Sequence, residues 1–165
     1  MTDLPEVSGL TIGILGGTGD QGKGLARRFA LAGHPVLIGS RDAGRAQEAA
    51  DSIGNGARGA ENAAVAAEAD IVIVAVPWDG HKATLSALRE PLAGKIVVDC
   101  VNPLGFDKQG AYALPVEEGS AAQQARGGAD RQPRGGRLPP RLRGVAARSR
   151  GGQGGPGRAR PGRRP

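Results

Sequence analysis

Apolar residues along this chain fall into short continuous runs, separated by stretches with helical spacing. Leu10–Leu15 is apolar at most positions, the pattern of a strand buried on both faces. Asp20 to Ala32 follows, with Leu25, Ala26, Phe29 and Ala30 on one stripe, which predicts a first helix. Gly33 suits its C-terminal cap and Pro35 bars its continuation. Val36-Leu37-Ile38 reads as a second strand ending at Gly39-Ser40-Arg41, and Ala43 to Ile53 as a second helix stopped by Gly54-Asn55-Gly56. Ala57 to Ala60 suits a short third strand, and Glu61 to Ala69 an alanine-rich helix. Asp70 then introduces I-V-I-V-A-V, the clearest buried strand of the chain, ended by Pro77-Trp78. His81 to Leu88 continues as a helix, Lys95 to Val101 as a further strand, and Leu104 to Glu118 as a loop. Strands alternating with helices at this spacing imply right-handed crossovers and a parallel sheet. The fold class is α/β, a Rossmann-type sheet flanked by helices.

The pattern changes abruptly after residue 125. Ser120-Ala-Ala-Gln123 matches a capping box and launches a helix, yet Arg126-Gly127-Gly128 arrives within two turns. Charge divides at the same place. Residues 1–125 carry 10 basic and 15 acidic side chains, whereas residues 126–165 carry 12 arginines and one acid, Asp130. The basic balance of the whole chain therefore belongs to the tail. Arg, Gly and Pro fill 29 of its 40 positions, so it has almost nothing to bury and is expected to be disordered. The expected organisation is a leader over 1–9, a folded domain over 10–125 with its C-terminal part missing, and a basic tail over 126–165.

Two origins fit that tail. A reading-frame slip near Ala125 in GC-rich coding sequence yields Arg, Gly, Pro and Ala, and the tail lacks Lys, Ile, Phe, Tyr and Asn. The other is a genuine Arg/Gly-rich segment that binds nucleic acid by charge. No aromatic residue is present there for base stacking, and the launched helix would be left unexplained, so the balance favours the slip and argues against a nucleic-acid partner. Cys100 is the only cysteine, which excludes an intramolecular disulfide; in an apolar run it is expected to be a buried small hydrophobe. No apolar run approaches the ~18 residues of a membrane span, and the N-terminus lacks the regions of a secretory signal. A cytoplasmic chain with no membrane partner is expected.

Candidate chemistry concentrates in the first strand–helix junction. Gly17, Gly19 and Gly22 fit G-x-G-x-x-G directly after a strand and directly before a helix. The first glycine is expected to permit the tight turn, the second to let backbone approach phosphate, and the third to let helix and strand pack. The free N–H groups and positive end of the helix would then hold a pyrophosphate. At the end of the second strand stands Ser40-Arg41 rather than an acid. A carboxylate there would repel a 2′-phosphate, whereas Arg41 offers it a planar fork, Ser40 a hydroxyl and Arg45 a second cation. That favours NADP over NAD; Asp42, one residue late, can instead cap the following helix. His34 and His81 are isolated, and His34 beside Pro35 reads as loop structure. Asp99 lies in an apolar strand, as a satisfied structural acid or a crevice residue. None of these is assigned to catalysis, and hydride transfer between two cofactors requires no such group.

Four ordered blocks add a resemblance: G-G-T-G-D-Q-G-K-G-L-A-R-R (16–28), G-H-P-V-L-I-G-S-R (33–41), I-V-I-V-A-V-P-W (71–78) and V-V-D-C-V-N-P-L (97–104). The chain resembles the NADPH-dependent coenzyme F-420 reductases over about three-quarters of its length. The resemblance implies hydride exchange between NADP(H) and the 5-deazaflavin coenzyme F-420. It implies that Thr18 and Gly19, within Gly17, Thr18, Gly19, Asp20, Gln21 and Gly22, hold the phosphates. Ser40, Arg41 and Arg45 would hold the 2′-phosphate, and Val76, Pro77 and Trp78 would line the nicotinamide side. Full-length relatives would be homodimers, and their chain would continue into elements that complete the deazaflavin pocket. Nothing after Ala125 matches that continuation, so weak or absent activity is expected. An imine or ketol-acid type reductase domain, or a non-catalytic nucleotide- or RNA-binding protein using the tail, remain the rival readings.

Overall fold

The computed structural model describes residues 7–129. Most of the expected leader and nearly all of the expected tail, including its disorder and its origin, lie outside those residues. Five parallel strands form one sheet: β1 (Ile12–Leu15), β2 (Val36–Ser40), β3 (Arg58–Glu61), β4 (Ile71–Val74) and β5 (Ile96–Asp99), in the order β3-β2-β1-β4-β5. Helices α1 (Asp20–Leu31), α2 (Ala43–Ile53), α3 (Asn62–Glu68) and α4 (Trp78–Ala87) connect them. The Rossmann-type α/β reading holds. The sheet reverses its winding at β1, between β2 and β4, so the crevice for a ligand opens at the carboxyl ends of those strands.

Two apolar layers hold the helices to the sheet. On one face Ile12, Ile14, Val36, Ile38 and Ile73 pack against Ala26, Ala30, Ala46, Ala49 and Ala50 of α1 and α2. On the other, Leu15, Leu37, Val72 and Val74 pack against Val65, Ala66, Leu85 and Leu88 of α3 and α4. Small alanines on α1 and α2 let those helices lie close, while the branched side chains on the strands fill the space between. Strand ends fall short of the apolar runs. β4 stops at Val74 although Ala75 and Val76 continue the run, because the chain must leave the sheet to start α4 at Trp78.

Three elements differ from expectation. Helix α4 begins three residues earlier than its apolar spacing suggests, with Pro77 as its N-cap. The stretch expected as loop contains an antiparallel hairpin, β6 (Leu104–Asp107) with β7 (Gly110–Ala113). Its turn uses Gly110 at φ +119°, and Gln109 N–H donates to Asp107 Oδ1 at 2.7 Å. Helix α5 (Ala121–Ala129) runs through Arg126-Gly127-Gly128 instead of breaking there. Its cap is as expected at Ser120, whose Oγ accepts from Gln123 N–H at 3.2 Å. Once nucleated, each further residue adds one hydrogen bond, so two glycines weaken a helix without ending it. No helix among the described residues is long and apolar enough to cross a membrane.

Candidate functional site

The glycine turn follows β1. Gly16 takes the left-handed backbone at φ +71°, and a Cβ there would stand 2.9 Å from the Ala75 carbonyl and from Val76 Cγ1. Gly17 was expected to supply the tight turn, but the left-handed residue is the one before it. The demand on Gly17 is steric instead: its Cβ would meet Ile14 O and Ile38 Cγ2 at 2.9 Å, and its N–H donates to Gly39 O at 2.9 Å. Gly22 packs helix on turn as expected, with a Cβ position 2.6 Å from Gly17 Cα. At Gly19 the space is open, the nearest atom being Gly16 O at 3.7 Å. That opening is where a ligand can approach the backbone.

Helix α1 presents free donors at the same place. Its N-cap, Gly19, has no side chain to offer, and the first N–H satisfied within the helix is that of Lys23, on Gly19 O at 2.8 Å. The N–H groups of Asp20, Gln21 and Gly22 stand ahead of it at the positive end of the dipole. Thr18 is half-buried beside them, and the side chains of Asp20 and Gln21 are exposed. Helix α2 is the contrast, since Asp42 caps it by accepting from Arg45 N–H at 2.8 Å. One helix end is closed by its own sequence and the other is open to an anion. The turn, the open Gly19 face and the uncapped donors fit a dinucleotide pyrophosphate.

Asp42 is thus engaged with α2. Ser40 is buried at 7 % exposure, and its Oγ accepts from Asp42 N–H at 3.3 Å, which leaves the hydroxyl proton to donate elsewhere. Arg41 and Arg45 are both exposed, and among the described residues neither forms an ion pair. The carboxyl end of β2 thus carries one hydroxyl and is followed by two cations with no ion-pair partner among the described residues.

At the end of β4, Val76 lies buried beneath the glycine turn, Pro77 is exposed and Trp78 is half-buried. The Trp78 indole stacks on the ring of His81, centroids 5.4 Å apart at 26°. The sequence left His81 and Asp99 open, and the structure brings them together. His81 is fully buried, with Nε2 2.7 Å from Asp99 Oδ2 and Nδ1 2.9 Å from Gln124 Oε1. The strand register sets Asp99 beside Val74, so the acid reaches the helix from the next strand. Their signal in the sequence was the acid inside an apolar run, which requires a buried partner.

Two other residues were not foreseen. Asn62, at the start of α3, accepts from Gly16 N–H through Oδ1 at 3.3 Å and so ties the turn to a third element. Gly39 makes room for it, since a Cβ there would stand 2.6 Å from that oxygen. Cys100 is half-buried rather than buried; its thiol donates to Val74 O at 2.9 Å, and burial, then the charge of Asp99, pushes its pKa up. His34 lies at the opposite end of the sheet, edge-on to Phe29 with centroids 6.1 Å apart, and has no part in the crevice.

The turn, the Ser40-Arg41 corner and the Pro77-Trp78 corner thus share the carboxyl edge of the sheet. Comparison with known proteins meets the same stretch. The family described as "NADP oxidoreductase coenzyme F420-dependent" matches residues 11–103. The F420-dependent NADP reductase of Methanothermobacter marburgensis is 42% identical over 125 residues, covering 70% of this chain and 56% of that protein. Its counterpart in Methanothermobacter thermautotrophicus is 40% identical over 129 residues, covering 73% and 56%. This chain therefore spans about half the length of these curated relatives. A crystal structure from Arthrobacter sp. FB24, described as a candidate F420-dependent NADP reductase, superimposes with a TM-score of 0.64 at 32% identity, covering 73% of this chain and 59% of that one. Since the matched span begins just before β1 and closes only after β5, taking in every corner of the crevice, the chain belongs to the coenzyme F420-dependent NADP oxidoreductase family.

Proposed function

We propose that this chain binds NADP(H) and supports hydride transfer between it and the 5-deazaflavin coenzyme F-420, in the cytoplasm. One observation carries the reading. The family span, residues 11–103, contains all twelve residues expected to touch the nucleotide. In this reading the glycine turn and the uncapped end of α1 hold the pyrophosphate through Gly17, Thr18, Gly19, Asp20, Gln21 and Gly22. Ser40, Arg41 and Arg45 receive the 2′-phosphate. Val76 supports the turn from below, while Pro77 and Trp78 present an apolar wall that excludes water from the nicotinamide side. The chemistry is the cofactors' own, a hydride passing between nicotinamide and deazaflavin; the protein's part is alignment. A homodimer, as expected of full-length relatives, belongs to the same reading.

Two measurements on the full chain test it. Titration with NADPH and NADH is expected to favour NADPH by at least about tenfold, because a permanently charged fork faces the 2′-phosphate. Equal affinities would overturn the role given to Arg41. Mixing the protein with NADPH and oxidised coenzyme is expected to bleach the deazaflavin absorbance. NADPH binding without bleaching would restrict this chain to the nucleotide half of the reaction.

A further inference from the structure

One buried side chain touches every element around the nicotinamide corner. His81 follows Trp78 by one helical turn, so both rings project from the same face of α4. Below the indole, the imidazole reaches Asp99 at the end of β5 and Gln124 in the first turns of α5. The acid is held at both oxygens, because Oδ1 accepts from Val101 N–H at 3.0 Å. The amide is held as well, because Gln124 Nε2 donates to Glu118 Oε2 at 3.0 Å, while Lys82 Nζ donates to Glu118 Oε1 at 3.0 Å.

This chain of bonds fixes the orientation of Gln124 and the proton on Nδ1 of His81. A carboxylate only accepts, so the nitrogen of Gln124 must face Glu118, and its oxygen must face His81. Nδ1 of His81 therefore donates. On the other side Nε2 and Asp99 Oδ2, 2.7 Å apart, share one proton. The ring is thus held at both nitrogens, by Gln124 on one side and Asp99 on the other. A ring fixed in this way gives the Trp78 indole, with centroids 5.4 Å apart at 26°, a defined surface to stack on.

We propose that His81, held at both nitrogens by Gln124 and Asp99, is the positioning residue for Trp78. It sets the indole plane against the nicotinamide and locks α5 to the sheet in the same geometry. The inference rests on the reading that Trp78 lines the nicotinamide side. His81 itself touches no substrate, since it is fully buried.

The composition of the chain makes the test direct. Trp78 is its single tryptophan and His81 one of two histidines, so fluorescence and imidazole nitrogen signals are readily assigned. NADP+ does not absorb indole emission and quenches it only on contact, whereas 2′-phospho-ADP-ribose lacks the nicotinamide. In the full-length wild type, NADP+ should quench Trp78 and 2′-phospho-ADP-ribose should not. If both act alike, the placement of Trp78 is wrong and the inference fails with it. In His81→Gln, affinity for 2′-phospho-ADP-ribose should stay within about twofold, because the bonds holding the phosphates are untouched. The NADP+-specific quench should fall by half or more. An unchanged quench in a folded variant would overturn the positioning role while leaving the placement of Trp78 intact. Should His81→Gln fail to fold, Gln124→Leu removes the Nδ1 partner and leaves His81 and Asp99 in place. It is expected to shift the His81 nitrogen signals and weaken the quench, and no change in either would refute the proposal.

Discussion

Strands β4 and β5 are neighbours of nearly equal composition, I-V-I-V and I-V-V-D, but they live in different surroundings. In β4, Val72, Ile73 and Val74 are buried under helices on both faces, and β1 beside it and β2 beyond are buried along their whole length. In β5, Val97 and Val98 remain 37% and 47% exposed, and the hairpin after it shows Phe106 at 76%. The difference is one of position. An apolar run is buried only if the fold places a strand beside it and a helix above it, and among the described residues β5 has a neighbouring strand on one side alone. The glycine turn thus rests on the covered strands β2, β1 and β4, while the opposite side of the crevice ends on the exposed β5. Contiguous exposed apolar residues at such an edge mark a surface suited to association.

The largest expected effect lies in the closed half. Leu15→Ala deletes a side chain that is fully buried between β1 and the α3/α4 layer. It should cost about 2–5 kcal/mol in urea unfolding, from lost transfer energy and the cavity left behind. Val98→Ala on the edge strand should change the same midpoint by less than about 0.5 kcal/mol, as exposed positions do. Equal losses at the two sites would mean that β5 is covered in solution. Next in size is Gly22→Ala, whose Cβ would collide with Gly17 backbone. Overpacking of this kind costs about 1–3 kcal/mol and moves the end of α1 away from the turn. NADPH affinity should therefore fall along with stability, whereas the matching change Gly24→Ala meets nothing within 4 Å and should leave binding intact.

These two halves also differ in how far the sequence disclosed them. The closed half was legible because each element carried its own local signal. Examples are the uninterrupted apolar strands, Asp42 before α2, and the Gly33-x-Pro35 stop. The glycine turn was legible as a motif but not in its division of labour. Gly16 takes the left-handed conformation because the chain must pass over Ala75 and Val76, a constraint set by β4, sixty residues away. Asn62, His81, Asp99 and Gln124 act through partners 18 to 46 residues distant, and no spacing rule announces such pairs. The hairpin was hidden for another reason. L-G-F-D and G-A-Y-A are short and each carries a glycine, so neither shows the alternation of a strand with one buried face.

A third prediction addresses the edge itself. Val98→Lys places a charge on the exposed face of β5, where it requires no burial. Such charges on edge strands oppose sheet-to-sheet pairing. The wild-type chain should self-associate with rising concentration in light scattering, and Val98→Lys should reduce this with little change in melting. The same substitution at Val72, on the buried strand, should unfold the protein outright, because an unpaired charge cannot be left in that core. Scattering that Val98→Lys leaves unchanged would move the association surface to the hairpin, where Phe106→Lys is the corresponding variant.

The smallest effect expected is a pH dependence confined to the edge half. Glu118 at the surface accepts from Gln124 and from Lys82, and these bonds, the Gln124 one first, hold its carboxyl below the usual glutamate range. The Glu118 bond in turn raises the Lys82 ammonium above the usual lysine range. A carboxyl depressed in the folded state stabilises above its unfolded value, and that contribution is lost as pH falls through the folded one. An amine raised in the folded state does so below its unfolded value, and loses it as pH rises through the folded one. The clasp on α5 should therefore be flat around neutrality and weaken at both extremes. Because both groups are at the surface, solvent and salt screen them, and amide exchange in α5 should quicken by no more than about threefold on the acid side. Exchange in α1 and β1, which no bond of this clasp reaches, should not follow it. Glu118→Gln should flatten the acid limb in α5 alone. Parallel acceleration in β1 would show that the two halves unfold as one unit, and the contrast between them would then be one of exposure and not of stability.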